Sequence, residues 1–220
     1  MEGEAQPAPR PSPRRAQFQR DESELEFGRI VAFSDGVFAI AITLLVLALQ
    51  IPEGVSDFPE TLRDQAPDFF AFALSFTVLA QIWYFHHRFF SSLGRYDGAL
   101  ITLNFIYLAL VTLVPFSSQV IGDYGDESAA AVIYALNIAG LGIGGALMVR
   151  YAFRHSMVRT EVAELLGVRT GPRGLLVAGI FLVSIPIALV DANAAEWSWL
   201  VLFLIANFVI RRILPHRAAS

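Results

Sequence analysis

Cysteine and lysine are both absent from this 220-residue chain, and charge of either sign is scarce. Without cysteine there can be no disulfide, no thiolate metal ligand and no cysteine nucleophile. Charged side chains make up 16% of the sequence, where a soluble domain carries about 25%. All 16 basic residues are arginine. No glycine-rich phosphate loop, nucleophile elbow, His-Glu-x-x-His or paired-carboxylate pattern appears, so no catalytic centre is expected and the chain reads as a non-enzyme. Nothing in it calls for a cofactor or a nucleic-acid partner.

Long apolar blocks are what the chain has instead. Hydrophobic residues reach 55% and come as runs rather than at amphipathic spacing. From Gly36 to Ile51 only Thr43 and Gln50 are polar. A run of that kind crosses a bilayer, whose core takes about 20 mostly apolar residues at roughly 1.5 Å each. The pattern predicts an all-α, multi-pass protein of the cell membrane with six spans. They run from about Arg29 to Ile51, Phe69 to Phe90, Ala99 to Val120, Ser128 to Phe153, Leu175 to Val190 and Trp197 to Leu214. Pro115 should kink the third span, with neighbouring hydroxyls satisfying the freed carbonyl. Gly140 and Gly144 stand at the spacing that lets two helices approach closely. Residues 156–166 could form a short surface helix within a basic linker. Residues 1–27, rich in Pro, Arg and Glu, are expected to be a disordered cytoplasmic tail, 28–214 the membrane domain and 215–220 a short second tail.

Arginine placement sets the orientation. The first tail, the two-to-three link, the four-to-five linker and the last tail are basic, while the other three loops are acidic. Both termini are therefore expected on the cytoplasmic side. At that side three spans carry polar groups to one depth: Arg29, Ser34 and Asp35 on the first, His86 and His87 on the second, Asn104 on the third. Each is costly in lipid unless paired, so a buried Asp–Arg–His–Asn network is expected to hold these helices together. Adjacent histidines point about 100° apart on a helix, which disfavours a shared metal. Ile40, Leu44 and Leu47 share one face of the first helix with Thr43 beside them. By periodicity alone that stripe is a packing or lipid-facing surface, or the lining of a hydrophobic constriction.

The signature Arg29-x-x-x-Phe33-Ser34-Asp35, followed by Gly36-Val37-Phe38-Ala39-Ile40-Ala41-Ile42-Thr43, resembles the opening helix of the transmembrane-protein-175 family in its prokaryotic branch. Those proteins are potassium-permeable channels related to the endosomal and lysosomal potassium channel. The Trp83, His86-His87 and Phe89-Phe90 ending and the Asn104 and Pro115-Phe116-Ser117 positions are similar to the family's next two helices. The resemblance implies six helices per subunit and a homotetramer with the first helices lining a pore on its axis. It implies a constriction at Ile40, Leu44 and Leu47 with a hydroxyl layer at Thr43. It also implies a structural network of Arg29, Phe33, Ser34, Asp35 and Asn104 with one or both of His86 and His87. The expected activity is a weakly selective cation channel passing potassium and other monovalent cations, since the stacked-carbonyl filter Thr-Val-Gly-Tyr-Gly is absent. The rival reading is a proton-coupled carrier relaying through Asp35 and His86 or His87. The absence of an inverted repeat or a broken-helix pair speaks against it.

Overall fold

A computed structural model describes residues 13–51, 54, 56–159 and 171–199. Its regular elements are helices, apart from one isolated antiparallel bridge between Leu93 and Val158. Helix α1 runs Pro13–Leu44 and tightens into a 3-10 turn at Leu45–Ala48. The short α2 is Phe58–Asp64 and α3 is Ala66–Ser91. Then come α4 at Gly98–Thr112, α5 at Val114–Tyr124, α6 at Ser128–Arg154 and α7 at Gly171–Ala188. Residues 192–199 form a further helical stretch. Among the described residues, four segments are long and apolar enough to cross a membrane: Leu25–Ala48, Ala66–Ser91, Gly98–Tyr124 and Ser128–Arg154. The chain is a multi-pass membrane protein. The segment expected as the fifth span is helical as α7, but its apolar part, Gly174–Ala188, is shorter than the four. Most of the expected sixth, and of the surface helix at 156–166, lies outside the described residues.

Several boundaries differ from the sequence expectation. Helix α1 begins at Pro13, so residues 13–27 are helical rather than disordered. The segment is rich in Arg, Glu and Gln, which are strong helix formers, and proline is tolerated in a first turn. Phe27 also anchors it, stacking on Tyr96 at 5.0 Å and on Phe90 at 6.1 Å between ring centroids. At the other end, α-geometry stops at Leu44 rather than Ile51. Pro52 disfavours helix in the residue before it, and the chain leaves through the 3-10 turn. The acidic loop contains α2, capped by Asp57, whose carboxylate accepts from the Glu60 amide at 3.1 Å.

Pro115 does divide the third span. The chain steps from α4 to α5 at Leu113, with Pro115 in the first turn of α5. The backbone opened there is not closed by local hydroxyls alone. Asn137 of α6 donates from Nδ2 to the Leu110 carbonyl at 3.1 Å, and its Oδ1 accepts from Ser117 Oγ at 3.0 Å. Helix α6 is the hub, packing against α4, α5 and α7. It can do so because its buried face is mostly small: Ala130, Ala131, Ala135, Ala139 and Gly142. Gly140 and Gly144 face Leu110 and Tyr107 of α4, as their spacing suggested. A closer backbone-to-backbone approach lies between α6 and α7. A Cβ on Gly142 would meet the Gly174 carbonyl oxygen at 2.5 Å, and one on Gly174 would meet the Gly142 oxygen at 2.7 Å. Only hydrogen fits on either side of that α6–α7 crossing.

Two cross-links close the ends of the bundle. At one end the Gly94 amide donates to Met157 O at 2.8 Å and the Arg159 amide to Ser92 O at 3.0 Å, joining the α3–α4 link to the exit of α6. Asp97 caps α4 there, accepting from the Leu100 amide and from Tyr151 Oη, both at 2.8 Å. These donors hold its carboxyl below the usual range. At the opposite end Asn193 donates to Asp126 at 2.9 Å. Glu196 is tucked beside Gly125 with Oε1 buried and unpartnered, and desolvation together with the Asp126 charge pushes its pKa up to about 7.

Two predictions follow from this packing. Gly142→Ala should lower stability by about 1–3 kcal/mol through overpacking, whereas Gly179→Ala, which has open space, should be neutral or mildly stabilising. Thermal melting of the two purified variants compares them directly. A carboxyl whose folded pKa is raised favours the fold most below its unfolded value near 4.5, and that contribution is lost as pH rises through about 7. Glu196→Gln should therefore match the parent near pH 4 and melt higher than it at pH 8.

Candidate functional site

Helix α1 has two unlike faces. Ser34, Phe38, Ala41 and Leu45, spaced four, three and four residues apart, are buried against the rest of the chain. Half a turn away lie Gly36, Ile40, Thr43 and Leu47, all exposed, with Ile40 at 61% and Leu47 at 59%. Leu44 is exposed on the flank of the same stripe. Leu47 belongs to the 3-10 turn rather than the α-helix, yet it keeps to that side. The Thr43 hydroxyl donates to its own helix, to Ile40 O at 2.9 Å. Its proton is thereby committed to the backbone, and its oxygen lone pairs remain for whatever lies outside the helix.

The orientation of α1 is fixed by a chain of three hydrogen bonds that joins three helices. His86 Nε2 of α3 donates to Asn104 Oδ1 of α4 at 2.8 Å. Asn104 Nδ2 donates to Ser34 Oγ of α1 at 2.9 Å, and Ser34 Oγ donates to Ile30 O at 2.9 Å. Each donor has a single assignment once Asn104 turns its amide nitrogen toward Ser34, so the imidazole carries its proton on Nε2. Ser34 and Asn104 are fully buried and His86 is 4% exposed. His86 Nδ1 is buried without a partner. Aromatic rings clamp this imidazole: Phe90 at 4.5 Å, Phe38 at 5.2 Å and Tyr107 at 5.6 Å.

Asp35 belongs to a second, shallower cluster. Trp83 Nε1 donates to Asp35 Oδ1 at 2.9 Å, and His87 Nδ1 lies 3.6 Å from Asp35 Oδ2. Trp83 and His87 also pack ring against ring at 5.5 Å. The two histidines thus both take part, with different partners. Ser34, Asp35, His86, His87 and Asn104 are brought together as the sequence suggested, although in two groups rather than one. Arg29 is not among them: it is exposed, and within the described residues it pairs with none of these side chains. Phe33 is also exposed and packs on Phe105 at 5.7 Å, outside the polar network. Trp83 is the participant that sequence reasoning missed. Its signal was available, because a half-buried indole N–H needs an acceptor and Asp35 sits at the same depth.

The chain is similar to proteins of known name. A family model described as the endosomal/lysosomal potassium channel TMEM175 matches residues 29–115, the stretch that holds every residue of both clusters. A potassium channel from Streptomyces collinus is 39% identical over 124 residues, which cover 54% of this chain and 60% of that protein. The chain thus spans less than two thirds of that relative. An endosomal/lysosomal proton channel TMEM175 from Gallus gallus is 29% identical over 110 residues, covering 46% of this chain and 22% of that one. The crystal structure of a lysosomal potassium-selective channel TMEM175 homolog from Chamaesiphon minutus superposes with a TM-score of 0.70 and 31% identity. It covers 84% of this chain and 97% of that one. These relatives are named as ion channels, not as enzymes.

Asn104 is the shared member of the buried chain, so its loss orphans two groups at once. Asn104→Ala should cost about 2–4 kcal/mol, since each buried polar group left unpaired costs roughly 1–3. Trp83→Phe, which removes one partly buried donor, should cost about 1 kcal/mol. Melting temperatures of the two variants in one detergent test the ranking, and equal losses would contradict the division into two clusters.

Proposed function

This chain belongs to the TMEM175 family, and on that premise we propose that it is a potassium-permeable, weakly selective cation channel formed by four copies around one axis. The observation that carries the reading is the uncovered aliphatic stripe of α1 at Ile40, Thr43, Leu44 and Leu47, on the side turned away from the chain's own core. An apolar stripe with a hydroxyl in it, held on a helix that is pinned from behind, is what a shared axial surface needs. Four copies would bring four Ile40 side chains into a ring, with four Leu47 side chains forming another. Such rings make a narrow, nearly dry passage, where an ion loses water with little in exchange. The Thr43 oxygens, their protons already given to Ile40 O, would offer four lone-pair ligands just beyond. No stacked carbonyl filter is at hand, so discrimination between potassium and sodium is weak.

The same reading orients the molecule. The Arg-bearing ends, with Arg95, Arg150, Arg154 and Arg159, lie on the cytoplasmic side, and the acidic loops with Asp57, Asp123, Asp126 and Glu196 lie outside. Those carboxylates raise the local cation concentration at the outer mouth, an effect that salt screens. A proton-relay carrier fits less well. His86 spends its Nε2 proton within the Asn104–Ser34 chain, while Asp35 is bonded to Trp83 and paired with His87, so the two histidines do not form one continuous wire.

Purified protein in a planar bilayer, with potassium facing sodium, should give a reversal potential displaced toward the potassium value and moved modestly by sodium. No current from folded protein would overturn the channel reading. Ile40→Asn, which replaces an aliphatic ring with one that holds water, should raise single-channel conductance several-fold. Unchanged current in that variant would remove Ile40 from the constriction.

A further inference from the structure

Arg29 opens the stretch that matches the family model, yet neither polar cluster holds it. Its place on α1 suggests another use. Arg29, Gly36, Ile40 and Thr43 follow one another at steps of seven, four and three, which return to one side of a helix. All four are exposed, on the side away from the buried Ser34, Phe38 and Ala41. Arg29 thus stands on the uncovered stripe, three turns before Ile40 and about 16 Å nearer the Arg-bearing end. An arginine that served only to orient the chain in the membrane could lie anywhere around the helix. Among the described residues nothing neutralises this one: its guanidinium has no hydrogen bond or ion pair. Glu26, one turn earlier, is exposed, and its carboxylate accepts from the Tyr96 hydroxyl of the α3–α4 link. Asp35, six positions on, lies well around the helix and is held by Trp83 and His87. Glu22 returns to the register of Arg29 one step of seven earlier, about 10 Å further out.

A guanidinium stays protonated at any physiological pH, and a long side chain at the end of a span keeps its charge in water. On the premise of the four-copy channel, we propose that Arg29 forms a ring of positive charge at the inner mouth of the pore, which thins the permeant cations there and makes current pass more readily inward than outward. The two mouths then carry opposite signs. Carboxylates of the outer loops gather cations on one side, and the Arg29 ring repels them on the other. Four charges at about 10 Å from a cation lower its local concentration several-fold in dilute salt. A Debye length that falls to about 3 Å in 1 M salt removes most of that effect.

The test is single-channel recording from inside-out patches of cells that express the full chain, with equal potassium chloride on both sides. In about 20 mM salt the outward current should be about 2–5-fold smaller than the inward current at the opposite voltage, and in about 1 M salt the two should be nearly equal. Arg29→Lys should keep the asymmetry, Arg29→Gln should abolish it and Arg29→Glu should reverse it. If Arg29→Gln fails to assemble, Arg29→Cys decides the matter, since the chain holds no other thiol. A thiol reagent carrying a quaternary ammonium, applied from the cytoplasmic side, should restore the asymmetry, and one carrying a sulfonate should reverse it. Absence of any current from folded parent protein would refute the channel reading itself. Currents that are symmetric in dilute salt, that rectify in the opposite sense, or that rectify equally in Arg29→Gln would overturn the ring and leave the channel standing.

Discussion

The hydrogen-bond chain from His86 through Asn104 to Ser34 is the constraint on which the arrangement of the first helix depends. It runs in one direction, each group giving its proton to the next, and it ends on the α1 backbone at Ile30. In a membrane there is no water to take over if a member turns away, so the chain tolerates little rotation of α1. Apolar contacts along α1 are far less particular. Phe38, Ala41 and Leu45 could slide or rotate against α3 and α4 with modest loss, because lipid is as apolar as the core. Polar groups therefore supply the angular precision and apolar groups the bulk of the contact.

Pinning one face determines the other. With Ser34 directed inward, Ile40, Thr43 and Leu47 must point away from the chain's own core. The channel reading gives that surface a purpose, and it gives the costly polar groups behind it one as well: they hold the helix that carries the stripe. Further from α1 the bundle follows different physics. Helix α6 gathers its neighbours by being small on its buried face, and the Gly142–Gly174 crossing lets two backbones meet where any Cβ would collide.

Much of this was legible in the sequence, and the residues show why. An unbroken apolar run entered through Ser34 and Asp35 can only be a span with partners elsewhere, and matching depth pointed to His86, His87 and Asn104. Arg29 was assigned to the network by charge, but it lies more than a turn before Ser34, where a long side chain reaches solvent more cheaply than a buried partner. Trp83 was overlooked because aromatic residues at a span's end are so often an interfacial belt. Composition marked residues 13–27 as disordered, and strong local helix propensity with the Phe27 stack overrode it. Near the Pro115 break the local hydroxyls are joined by Asn137, a residue of another helix that local sequence cannot bring into view.

Because the natural chain lacks cysteine, introduced thiols report on α1 without background. The most direct measurement is oxidative cross-linking of single-cysteine variants in membranes, comparing Ile40→Cys and Leu47→Cys with Phe38→Cys and Ala41→Cys. If α1 is pinned as described and its outer stripe surrounds a shared axis, the first two form subunit–subunit disulfides readily and the last two do not. Efficient cross-linking through Phe38→Cys or Ala41→Cys, with Ile40→Cys left monomeric, would contradict the account.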